Sequence, residues 1–241
     1  MTIYLTFADF PPLESDFSAE YLSDFLGEQE RIEWDRLKVP KRKREWLSAR
    51  IIGKKLIRTS ILELEQVPFS KIQILKEPGG APFVSVENGK RTRIEISFSH
   101  SHEHVFAACS PDNIRFGTDL EWIEPRSKEF VEDFFTENEI RRVISSDPDQ
   151  ADLITTVIWS AKESVLKALR TGLRLDTRKI EIGFTTEPSD REGWLRLEIK
   201  SPSRLLWRRE GDFVETFCIL ENPEQDLRWV TLPSANGQRS G

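Results

Sequence analysis

Cysteine is scarce in this 241-residue chain. The two present, Cys109 and Cys218, each sit in an apolar, strand-like run. That predicts buried free thiols and gives little support to a disulfide framework or a cysteine-based metal site. Long apolar runs are also missing, since none approaches the roughly 20 residues a membrane helix needs. The start, Met1-Thr2-Ile3-Tyr4-Leu5, lacks the basic region and cleavage site of a signal peptide. A cytoplasmic protein with no membrane partner is therefore expected. Positive charge is in deficit, with 35 Lys and Arg against 41 Asp and Glu and a formal net charge of −6. Such a balance argues against non-specific nucleic-acid binding. Low-complexity sequence is absent apart from residues 234–241, a small, polar tail expected to be disordered. What is present suffices for a core: 38% hydrophobic residues, seven Trp and fifteen Phe allow one large domain or two small ones.

Periodicity and turn residues divide the chain. Residues 1–10 alternate as a strand. Helices are expected over Ser18–Lys38, interrupted or ended by Gly27 and Pro40, and over Lys41–Leu64, with Trp46, Ala49, Gly53, Leu56 and Ile57 on one face. Short strands follow at Ile72–Leu75, Ile94–Phe98, Val105–Ser110 and Arg115–Ile123, the last three reading as an antiparallel meander. Helices return over Glu129–Ser145 and Leu153–Thr171, the second closed by Gly172. Strands then cover Lys179–Phe184, Trp194–Ile199 and Phe213–Leu220. Helix-then-strand order occurring twice predicts an α+β protein of two comparable halves, residues 1–112 and 113–233, although no repeat is visible in the sequence itself.

Asp119 and Glu121 lie two apart on a predicted strand, so they share a face while Leu120 takes the other. Two like charges among Phe116, Leu120, Trp122 and Ile123 repel and are costly to desolvate, a cost that a divalent cation removes. An exposed edge strand with solvated acids explains the spacing equally well. On the segment Trp159-Ser160-Ala161-Lys162-Glu163-Ser164-Val165-Leu166-Lys167, helical spacing puts Trp159, Glu163, Leu166 and Arg170 on one face. Glu163 and Lys167 stand four apart, and Lys162 falls inside the apolar arc. An ordinary ion pair plus a snorkelling lysine is the common reading of such a helix.

Together these pieces resemble the 4'-phosphopantetheinyl transferases, in particular their larger, surfactin-synthetase-activating class. The resemblance rests on Gly117-Thr118-Asp119-Leu120-Glu121, a G-x-D-x-E motif, and on Trp159–Lys167, a W-x-x-K-E-S-x-x-K motif. Ser99-His100-Ser101, Phe134-Phe135-Thr136-Glu137-Asn138-Glu139 and Gly172-Leu173 fit at the right spacing, and the likeness runs from about Arg44 to about Leu220. It implies two similar α+β halves related by a pseudo-two-fold axis. It further implies a monomeric, Mg²⁺-dependent enzyme that transfers the phosphopantetheine arm of CoA to a serine of an apo acyl or peptidyl carrier protein. By the same resemblance Asp119, Glu121 and Glu163 would ligate Mg²⁺, and Glu163 would also accept the serine proton. Lys167 would meet the pyrophosphate and take part in catalysis. Arg50 and His100, with Arg44 and Ser99 beside them, would hold the 3'-phosphate of CoA. Many relatives carry G-K-P where this chain has Gly80-Ala81-Pro82, so that lysine contact is lost or is supplied by Lys76 or Lys54.

Competing readings are a Mg²⁺ phosphohydrolase using the three carboxylates and a silent carrier-binding module. His100, His102 and His104 alternate in a way that could suggest zinc. The basic run Lys41-Arg42-Lys43-Arg44 reads either as a solvated helix start or as a surface that steers an acidic carrier.

Overall fold

Two long helices carry the fold, one in each of two units. The structure is a computed structural model that describes residues 1–12, 17–86, 89–186, 193–200, 203–220 and 225–232. One unit is Met1–Asn113 together with residues from Gln225 onward, and the other is Ile114–Glu224.

The first unit runs β1 (Thr2–Asp9), α1 (Ala19–Phe25), α2 (Glu28–Arg36), α3 (Pro40–Ser60), β2 (Ile72–Lys76), β3 (Pro82–Val86), β4 (Lys90–Arg91), β5 (Glu95–Ser101) and β6 (His104–Ser110). Pro40 opens α3, where its missing N–H costs nothing. That helix is apolar on two sides. Ala49, Ile52, Leu56 and Ile57 pack on Ile72, Ile74, Val84, Ile96 and Val105 of the strands, while Leu47 and Ile51 pack with Leu22, Leu26 and Trp34 of the short helices.

The second unit runs β7 (Phe116–Trp122), α4 (Lys128–Phe134), α5 (Glu137–Ile144), α6 (Pro148–Leu169), β8 (Ile182–Phe184), β9 (Leu195–Ile199), β10 (Ser203–Glu210) and β11 (Phe213–Leu220). Its sheet has the order β7-β11-β10-β9-β8, antiparallel throughout. Ile154, Val157, Ile158, Ala161 and Val165 of α6 cover it over Leu197, Leu205, Trp207 and Val214. A last strand, β12 (Asp226–Trp229), pairs parallel with β1 and gives the first unit the sheet order β12-β1-β6-β5, beside a second sheet β2-β3-β4.

The α+β expectation holds, with several differences. The helix expected over 18–38 is two, parted where Leu26 turns extended and Gly27 caps α2. The helix expected over 129–145 is also two. Thr136 caps α5 through a capping box with Glu139, and the chain turns extended at Phe135. The three-strand meander does not form: β5 and β6 pair, but β7 pairs with β11 in the other unit. Residues 225–232 fall with the first unit and not with the half that precedes them, because β12 needs β1. The left-handed residue closing α6 is Arg170, at φ 59°, two residues before Gly172. Strands β3, β4, β10 and β12 were not foreseen. The expected disorder of 234–241 lies outside the described residues.

Candidate functional site

Strand β7 meets α6 so closely that a side chain at Gly117 has no room. A Cβ there would stand 2.0 Å from the Ser164 carbonyl oxygen and 2.6 Å from the Ala168 nitrogen. This is the physical reason for the glycine in G-T-D-L-E: it lets the strand carrying Asp119 and Glu121 lie against the helix carrying Glu163 and Lys167. Asp119 is buried, and the Lys167 ammonium donates to its Oδ1 at 2.6 Å. Lys167 thus crosses from the helix to the strand, whereas helical spacing suggested a simple pair with Glu163. Glu121 accepts from Arg126 at 2.9 Å and from the Trp159 indole N–H at 3.1 Å. The Trp159 ring is held edge-on by Phe130 and Phe134, with centroids 4.8 and 5.1 Å away. Phe135 is buried.

The electrostatics show crowding. Burial pushes the Glu121 carboxyl up to about 7, and the Asp119 charge adds to the rise against Arg126, Lys167 and the indole. Glu163 is raised by burial and then by Asp119, with Lys167 opposing. Two buried carboxyls, each raised further by the Asp119 charge, form with Asp119 a donor set suited to a hard divalent cation. They are not preassembled around one point. Among the described residues no group of three His, Cys, Asp or Glu side chains is arranged to hold a metal ion. Cations of the protein, Lys167 and Arg126, engage Asp119 and Glu121 instead.

Lys162 does not snorkel. Its side chain is fully buried, paired with Glu139 at 2.9 Å and donating to the carbonyls of Thr177 (2.9 Å) and Ile180 (2.5 Å). Sequence reasoning also missed Arg126 as a partner of Glu121. The T-E-N-E string from Thr136 to Glu139 was the available signal for the capping box that places Glu139.

The first unit holds the remaining candidates. Arg50 is 2% exposed, with its guanidinium 3.3 Å from the Trp46 ring centroid and 3.3 Å from Glu33. Burial lowers it to about 10, against Glu30 and Glu33. Lys54 is fully buried, paired with Glu30 at 2.5 Å and bonded to the carbonyls of Phe25 and Phe69, so it is not available to a ligand. Lys76 is exposed at the end of β2, across the hairpin from Pro82. Its ammonium is lowered by burial and by the charges of Arg50 and Arg42, with Glu33 opposing. His100 and Ser99 lie on β5, with the His100 ring 6.4 Å from Phe10. Arg44 stands 4.0 Å from Glu103. His102 and Glu103 form the turn after β5, both at positive φ, and His104 pairs with Asp9 at 2.9 Å. The basic run is partly engaged, Lys41 with Glu45 at 3.9 Å and Lys43 over Trp34 at 4.8 Å. Cys109 and Cys218 are free and buried, and no helix among the described residues is long and apolar enough to cross a membrane.

Residues 115–218 match the family model described as the 4'-phosphopantetheinyl transferase superfamily. The chain is 38% identical over 92 residues to a holo-[acyl-carrier-protein] synthase of Geobacillus sp. (strain WCH70), covering 36% of this chain and 74% of that protein. It is 30% identical over 125 residues to the 4'-phosphopantetheinyl transferase ffp of Bacillus subtilis, covering 52% of this chain and 53% of that one. It is 28% identical over 123 residues to the 4'-phosphopantetheinyl transferase gsp of Aneurinibacillus migulanus, covering 51% and 48%. The chain thus spans about half the length of these last two relatives. Among solved structures, a holo-(acyl-carrier-protein) synthase from Bacillus anthracis str. Ames in complex with CoA (3',5'-ADP) matches at 23% identity with a TM-score of 0.36, over 45% of this chain and 96% of that one.

Proposed function

This chain belongs to the 4'-phosphopantetheinyl transferase superfamily, and on that premise we propose that it is a Mg²⁺-dependent holo-carrier-protein synthase acting as a cytoplasmic monomer. The carrier serine oxygen attacks the β-phosphorus of CoA, the bond from that phosphorus to the bridging oxygen breaks, and adenosine 3',5'-bisphosphate leaves with the bridging oxygen. The serine proton passes to Glu163, whose carboxylate is made more basic by burial and by the Asp119 charge. Asp119, Glu121 and Glu163 would hold Mg²⁺, which supplies charge neutralisation at the pyrophosphate when bound. Lys167, which pairs with Asp119, is the cation for the pyrophosphate. In the first unit Arg50 and His100, flanked by Arg44 and Ser99, are assigned to the 3'-phosphate. The buried guanidinium of Arg50, held by Trp46 and Glu33, suits bidentate recognition. With Lys54 locked in an ion pair, Lys76 is the cation left to stand in for a lysine at Ala81.

The observation that carries this reading is the crowding of Asp119, Glu121 and Glu163, with Lys167 reaching across from α6 to β7. The test is incubation with CoA, Mg²⁺ and an apo carrier, followed by mass spectrometry of the carrier. A mass gain of one phosphopantetheine, abolished by EDTA, is expected. Hydrolysis of CoA with the carrier unchanged would mean a phosphohydrolase, and neither product would mean a silent binding module.

A further inference from the structure

The residue that precedes Glu163 on its helix is a fully buried cation with three polar partners. Lys162 donates to Glu139 and to the carbonyls of Thr177 and Ile180, and all three lie outside its own helix. Glu139 is itself fixed. Its Oε2 accepts the Thr136 N–H at 2.7 Å and its Oε1 accepts the Ile182 N–H at 2.8 Å. One ammonium therefore ties α6 to the start of α5, to the turn before β8 and, through Glu139, to β8 itself. On the opposite side of the helix the Ser164 carbonyl lies against Gly117 of β7. The helix is thus tied at Lys162 and in close contact with β7 at Ser164, and Glu163 is the residue between those two points.

We propose that Lys162 is a positioning residue, and that its ties to Glu139, Thr177 and Ile180 set the rotation of α6 that presents Glu163 to Asp119 and Glu121. The assignment rests on the transferase reading for its kinetic consequence, though not for its structural one. Neutral, well-packed replacements of such pairs are often as stable, so stability is a weak account of this one. Its use is to give one geometry, and catalytic groups misplaced by about 1 Å lose roughly 10²-fold in rate.

The first unit supplies a matched control, because Lys54 and Glu30 form the same buried pair on α3. The experiment compares Lys162→Met/Glu139→Gln with Lys54→Met/Glu30→Gln in the full chain. Both are checked for folding by near-UV circular dichroism and then read by crystal structure, Mn²⁺ binding by electron paramagnetic resonance, and carrier modification kinetics. The second-unit variant should stay folded, shift Glu163 relative to Asp119, weaken Mn²⁺ binding, and lose about tenfold to a hundredfold in kcat. The first-unit variant should leave kcat and Mn²⁺ binding at wild-type levels, with any change confined to the KM for CoA. If the second-unit pair does not fold, Lys162→Arg, which keeps the charge and changes its reach, takes its place and should likewise displace Glu163 and lower kcat. Glu163 in its wild-type position with wild-type kcat would overturn the assignment. If the wild-type protein modifies no carrier, the transferase reading fails by itself, and the position of Glu163 in the variant still decides the role of Lys162.

Discussion

The two units follow one plan and differ in what they do with it. Each opens with a strand, passes through two short helices into a long one, and returns through strands to pair with the opener. Each buries a lysine of its long helix against a glutamate that sits third in a short helix and folds back onto that helix's cap: Gly27 with Glu30, Thr136 with Glu139. In both, the glutamate's other oxygen takes an N–H from the next strand, Ile74 or Ile182, and the lysine reaches a carbonyl fifteen residues on, Phe69 or Thr177. Aligning the units on their buried cysteines, Cys109 opposite Tyr4 and Cys218 opposite Gly117, puts Thr6 where Asp119 stands and Ala8 where Glu121 stands. Counting from the buried lysines, Lys55 and Thr59 take the places of Glu163 and Lys167. The shared residues hold the fold, and the residues that differ are the candidate chemistry. The Thr6 hydroxyl donates to the Val230 carbonyl, so at that register the first unit secures a strand where the second presents an acid.

The sharpest test of the difference is at those registers. Asp119→Asn should lower carrier modification by about 10²–10⁴-fold, and Glu163→Gln by a similar factor, with melting temperatures nearly unchanged. Thr6→Val should leave kcat alone. Equal losses at position 6 and at 119 would remove the division of labour. The likeness is tested next. Lys54→Met and Lys162→Met each strand a buried carboxylate and should each cost about 3–5 kcal/mol in urea unfolding. A cost in one unit only would mean that the two pairs are not equivalent.

These pairs also mark how far the sequence could be read. The carboxylates, the glycine beside them and the helix facing them were legible, because strand and helix periodicities decide which side chains share a face. The α+β order was legible for the same reason. Lys54 and Lys162 were not, since a lysine in an apolar arc looks alike whether it snorkels or is tied inside by partners far along the chain. Strands β10 and β12 escaped because in β10 Arg204, Arg208 and Arg209 flank a run, Leu205–Trp207, that is buried on both faces and shows no alternation, and β12 pairs with a strand far away in the sequence. Arg208 is satisfied by Glu215 on β11, a cross-strand partner invisible without the register.

Smaller effects probe the backbone. Gly117→Ala drives a methyl into α6 backbone and should cost about 3 kcal/mol. Gly53→Ala on α3 meets only the tips of Ile74 and Ile96, at 3.0 and 3.1 Å. It also gains about 1 kcal/mol of helix propensity, so the net change should stay within about 1 kcal/mol. Calorimetry on the two variants distinguishes a backbone collision from a side chain that yields. Least of all, Thr136→Gly should cost only a few tenths of a kcal/mol, bringing the α5 cap to the state Gly27 already gives α2.

The parallel pairing of β12 with β1 has a consequence for synthesis. The second unit is contiguous, and all its strands are on hand once residue 220 has left the ribosome. The first unit must wait, because one edge of its sheet is supplied by residues at the far end of the chain. Until then β1 exposes the edge to which Val230 will donate and Thr6 will reach. Vectorial synthesis therefore finishes the carboxylate-bearing unit first and the earlier-made unit last, and a chain cut short after Leu220 would carry every candidate metal ligand while the first unit's sheet kept an open edge.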